Sequence, residues 1–75
     1  MSGCHPDYNE LAATVVSELG AGREHVANAT GVADFWAACR FFSDTYSDLS
    51  RWLLDDYERD CLDESIRIAL RDGQR

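Results

Sequence analysis

The sequence predicts an all-α fold, a compact bundle of three to four short helices, and three observations carry that expectation. Apolar residues recur at helical spacing. No stretch alternates with the period of two that a strand needs. Glycine and proline fall where they cut the chain into helical lengths, with Pro6 the single proline and glycines at 3, 20, 22, 31 and 73. With 75 residues, 45% hydrophobic and 28% charged, the chain reads as one small domain with a modest core.

Residues 1–6 read as an N-terminal tail. A helix over 7–20 follows, opened by Asp7-Tyr8-Asn9-Glu10, which matches a capping box. Its apolar stripe is Tyr8, Leu11, Ala12, Val15, Val16 and Leu19, and Gly20 stands where a left-handed residue ends a helix. Residues 21–30 form a connector with room for a helical turn at 23–28. Thr30 is the expected cap of a second helix over 31–46, with Val32, Phe35, Trp36, Cys39, Phe42 and Tyr46 on one side. Phe41 and Ala37 lie on the opposite side, so that helix is expected to sit centrally between neighbours.

A third helix is predicted over 48–72, capped by Ser47 or Asp48 and carrying Leu49, Trp52, Leu53 and Tyr57. Its apolar phase then changes to Cys61, Leu62, Ile66, Ile68, Ala69 and Leu70. Either one long helix buries different faces at its two ends, or it breaks near 58–61 with Asp60 as a new cap. The break is favoured, because 25 residues is long for a helix in so short a chain.

Charge is the most uneven property. Fourteen Asp and Glu stand against seven Arg and no Lys, for a net charge of −7. Residues 44–64 hold Asp44, Asp48, Asp55, Asp56, Glu58, Asp60, Asp63 and Glu64 against Arg51 and Arg59, and so carry −6 of that total. The pairs Arg51–Asp55, Asp55–Arg59 and Asp63–Arg67 have i, i+4 spacing, each worth about 0.2–0.5 kcal/mol on a helix. They leave most of the surplus uncompensated. A bunched negative field raises solubility, and it also attracts a basic surface and speeds encounter. Direct nucleic-acid binding is disfavoured, since phosphate contacts need a basic face.

No motif for catalysis appears. There is no nucleophile elbow, no strand before Gly20-Ala21-Gly22 that would make it a phosphate loop, and no calcium-loop pattern in the acidic window. Cys4, His5, His25, Cys39 and Cys61 lack metal-ligand spacing, so no cofactor or metal is expected. The three cysteines form no disulfide framework. With neither a signal-peptide pattern nor a membrane-spanning run, the expectation is a cytoplasmic chain with reduced thiols and no membrane partner. The adjacent pairs Phe35-Trp36 and Phe41-Phe42 cannot both point inward. Phe41 or Trp52 is therefore expected to reach the surface beside the acids as an interface anchor.

In size, charge and the 44–64 acid cluster, the chain resembles at class level the small acidic inhibitors encoded by phages and mobile elements, the DNA mimics and anti-CRISPR proteins. The resemblance implies a non-enzymatic inhibitor whose carboxylates occupy a basic nucleic-acid-binding surface on a Cas effector or another DNA-binding protein. The alternative reading is a helical interaction or homodimerisation module that uses an apolar aromatic face.

Overall fold

The computed structural model describes residues 7–53 and 55–72. Its elements are α1 (Asp7–Leu19), a 3-10 turn (Gly20–Gly22), α2 (Arg23–Ala27), α3 (Val32–Phe42), α4 (Asp44–Trp52) and α5 (Asp56–Asp72). No strand occurs among the described residues, and the architecture is all-α. The expected 1–6 tail lies outside the described residues.

The interior forms where the inward stripes of the helices meet. α1 contributes Ala12, Val15, Val16 and Leu19, α2 contributes Val26, and α3 contributes Phe35, Ala38 and Cys39. Tyr46 and Leu53 enter from α4 and its end, and Leu62, Ile66 and Leu70 from α5. The broadest helix–helix contact joins α1 to α5. Tyr8, at the start of α1, feels the charges of Asp55 and Glu58 at the start of α5. Val26, just beyond α1, lines a groove with Leu70 near the end of α5. The first and last helices therefore run side by side in the same sense.

Gly20 takes φ +52°, the left-handed geometry that stops α1 one residue short of the expected 7–20. The chain then turns directly into α2, so the connector is mostly helical. Gly22 serves a different purpose. A Cβ there would lie 2.3 Å from Cγ of Phe42, so the bare backbone is what lets that ring pack down on the turn.

The middle of the chain departs from expectation. The helix placed over 31–46 is instead broken at Ser43, whose extended backbone (φ −128°, ψ 122°) separates α3 from α4. Ser43 is the N-cap of α4: its Oγ accepts from the Tyr46 amide at 3.1 Å. Glu18 at the end of α1 holds the junction from outside, accepting from Ser43 Oγ at 2.7 Å, the Thr45 amide at 3.1 Å and Thr45 Oγ1 at 2.8 Å. Ser47 and Asp48, the expected caps, thus lie inside α4. At the start of α3 the cap is Gly31 rather than Thr30, whose amide donates to the Asp34 carboxylate at 3.2 Å.

The second break falls at 53–55, earlier than 58–61. Asp55, not Asp60, caps α5: its Oδ1 accepts from the Tyr57 amide at 2.9 Å and its carbonyl from the Arg59 amide at 3.2 Å. α4 and α5 are separate helices, so the apolar phase is not carried from one to the other. The expectation that α3 is apolar-packed on both faces is also corrected. Its outer face meets solvent at Ala37 and at Phe41, which is 83% exposed, and Val32, expected on the inward stripe, is 63% exposed at the first turn.

Candidate acidic and aromatic docking face

The acids predicted as one cluster separate into three environments. Asp44 and Asp48 lie on the outer face of α4, with Arg51 and Trp52. Asp55, Asp56 and Glu58 gather at the corner where α4 gives way to α5, and Asp60 and Glu64 continue along the outer face of α5; all are exposed. About 1.5 Å of rise per residue puts the length of α4 between Asp44 and that corner, so Asp44 does not join it.

Asp63 is the exception, and it corrects the sequence reading. It is 6% exposed, on the inward side of α5 with Leu62 and Ile66, and it accepts a short hydrogen bond from the Tyr46 hydroxyl. Burial raises its pKa above the usual carboxylate range, and the Tyr46 bond and the guanidinium groups of Arg67 and Arg59 only partly offset this. The same burial, together with the Asp63 bond, pushes the Tyr46 hydroxyl strongly up. Asp63 therefore cannot serve as a docking carboxylate.

None of the three expected i, i+4 ion pairs forms among the described residues. Arg51 and Asp55 are divided by the helix break. Arg59 turns away from Asp55: it donates to the Leu53 carbonyl at 2.9 Å, approaches Asp56 at 3.8 Å and lies over the Trp36 ring at 5.0 Å. Arg40 also lies over that ring, at 4.9 Å. Arg67 lies over Phe35 and not against Asp63. The helix macrodipole accommodates part of the resulting surplus, because acids at the start of α5 face its positive end.

The aromatics sharpen the corner. Trp52 is 77% and Tyr57 57% exposed, and in sequence they bracket Asp55 and Asp56. Sequence reasoning assigned Tyr57 to the core. Its exposure follows from the break at 53–55, which takes it off the Leu49–Leu53 stripe. Phe41 sits elsewhere, at the α3–α4 junction and so at the far end of α4 from Trp52. It packs edge-on against Phe42 at 4.9 Å and lines a shallow groove with Ala37, Arg40 and Ser47.

Among the described residues no group of three or more His, Cys, Asp and Glu side chains is placed to hold a metal. Cys4 and His5 lie outside the described residues, and His25 packs against the Phe42 ring at 5.6 Å. Cys39 is a buried free thiol whose pKa burial pushes up to about 12, so it stays protonated. Cys61 is disulfide-bonded, which corrects the expectation that every thiol is reduced. No helix among the described residues is long and apolar enough to cross a membrane.

Comparison with protein-family models, curated proteins and solved structures finds no match for this chain.

Proposed function

We propose that this chain is a non-enzymatic binding protein that sets the α4–α5 corner against a basic protein surface. What supports this reading is the corner itself: Asp55, Asp56 and Glu58 are exposed beside exposed Trp52 and Tyr57. Such a face suits arginine-rich surfaces, where carboxylates pair with guanidinium groups and indole and phenol rings stack on them. The partner class is a basic nucleic-acid-binding surface, with a Cas effector or another DNA-binding protein as the inhibited target.

The test is a competition. A Cas effector and a panel of other DNA-binding proteins are titrated with the chain while DNA binding is followed at low and high salt. Inhibition that fades with salt and disappears on reversing Asp55, Asp56 and Glu58 to Arg supports the proposal. Inhibition indifferent to both overturns it. The exposure of Phe41 and Trp52 favours a second reading, a homodimer through apolar contacts. That reading predicts concentration-dependent dimerisation that resists salt and is lost on Phe41→Ala or Trp52→Ala.

A further inference from the structure

The chain has three cysteines, and they stand in different chemical states. Cys39, in α3, is wholly buried and is a free thiol. Burial pushes its pKa up to about 12, so at neutral pH it stays protonated and does not attack a disulfide. Cys61, in the second turn of α5, is disulfide-bonded. The residue is 2% exposed, so its sulfur has no open path to a second molecule. The remaining cysteine is Cys4.

Reach agrees with elimination. α1 and α5 pack side by side, and Tyr8 feels the charges of Asp55 and Glu58. Cys61 follows Glu58 by about one helical turn, which sets it beside the start of α1. Cys4 precedes Asp7, the first residue of α1, by three positions in the sequence. Three residues of extended chain span up to about 10 Å, and the axes of packed helices lie about 8–10 Å apart. The segment before α1 is therefore long enough to carry a sulfur across to Cys61.

We infer that Cys4 and Cys61 form a disulfide that acts as a redox lock on the pairing of α1 with α5. The step is thiol–disulfide exchange with a small disulfide such as oxidised glutathione. The Cys4 thiolate attacks one glutathione sulfur, a mixed disulfide forms, and the other glutathione leaves as a thiolate. The Cys61 thiolate then displaces the bound glutathione from the Cys4 sulfur. The two protein thiols give up two protons and two electrons, and one glutathione disulfide becomes two glutathione thiols. The bond encloses residues 5–60, which hold all of α1 to α4. In the chain-entropy account, a cross-link over so long a loop stabilises by restricting the unfolded chain, and reduction removes that restriction. The lock is independent of what the α4–α5 corner binds.

The test uses the full chain, purified without reductant and equilibrated with oxidised glutathione. Free thiols are alkylated with iodoacetamide in denaturant, and a tryptic digest is read by mass spectrometry without reduction. Cleavage after arginine places Cys4 in 1–23, Cys39 in 24–40 and Cys61 in 60–67, so each possible link has its own mass. The expected result is 1–23 joined to 60–67, with 24–40 alkylated. A link to Cys39, 60–67 joined to itself, or three alkylated cysteines would overturn the inference. Thermal unfolding reads the lock itself. Dithiothreitol should lower the midpoint by at least about 10 °C, and Cys4→Ser should melt where the reduced parent does, with or without reductant. Equal melting of the oxidised and reduced parent, or a Cys4→Ser variant that still responds to dithiothreitol, would overturn it as well.

Discussion

The inward and outward faces of α5 carry the same side chain and treat it in opposite ways. On the outside, Asp56, Asp60 and Glu64 are exposed, and only Asp56 approaches a cation, Arg59 at 3.8 Å. On the inside, Asp63 is stripped of water and retains one hydroxyl donor. Glu18 falls between the two: it lies at the surface, yet three hydrogen bonds tie it to the α3–α4 junction. The comparison teaches that a count of acids along a sequence mixes groups that face a partner with groups that hold the fold.

The largest expected effect comes from taking the donor away from Asp63. Tyr46→Phe keeps the ring and leaves a buried carboxylate unbonded, which should cost about 1.5–3 kcal/mol in urea unfolding. It should also move the Asp63 pKa further up, because the lost bond was lowering it. A variant as stable as the parent would dissolve the distinction between the two faces.

Next comes pH, where Asp63 and Glu18 act with opposite sign. Asp63 has a raised folded-state pKa, so its contribution is fully present below the ordinary Asp value and is lost as pH rises through the raised value. Glu18 has a lowered pKa, chiefly from the Ser43 bond and then Thr45. Its contribution is present above the ordinary Glu value and is lost as pH falls through the lowered one. Unfolding measured across pH should therefore lose, in Asp63→Asn, the decline that sets in as pH rises above the ordinary Asp value, and, in Glu18→Gln, part of the decline that sets in as pH falls below the ordinary Glu value.

At fixed neutral pH, Glu18→Ala should cost about 1 kcal/mol, since it removes bonds that hold the cap of α4 but buries nothing new. The smallest effect belongs to the outer face. Asp60 and Glu64 are a like-charged i, i+4 pair, so Asp60→Asn with Glu64→Gln should change thermal unfolding by no more than about 0.5 kcal/mol, with a slight gain expected. A large loss would mean that these carboxylates have structural partners after all.

The parts of the fold set by local chemistry were legible from the chain. The stripe of α1 and its stop at Gly20 are readable because spacing and backbone freedom both act within a few residues. The break at Ser43 was missed because no glycine or proline marks it. Its signal was a serine followed by an acidic residue and, three positions on, by the amide that it caps. The change of phase in the last third was visible, but counting Tyr57 as core moved the break too far along. Asp63 illustrates a deeper limit: its place on the inward arc of α5 follows from helical geometry, whereas its donor lies 17 residues away on another helix. The exposure of Trp52 and the separation of Asp44 from the corner depend on where the helices end, and spacing alone does not fix that.

The partnership of α1 with α5 also bears on kinetics. The two helices that share most of the interior are the earliest and latest of the chain, so their meeting requires residues 20–55 to be folded back between them. Closing so long a segment slows the search more than it weakens the product, because the entropic cost grows only logarithmically while folding rate falls with the separation of contacting residues. Val15, Val16 and Leu19 therefore gain their full cover only with the whole chain in place.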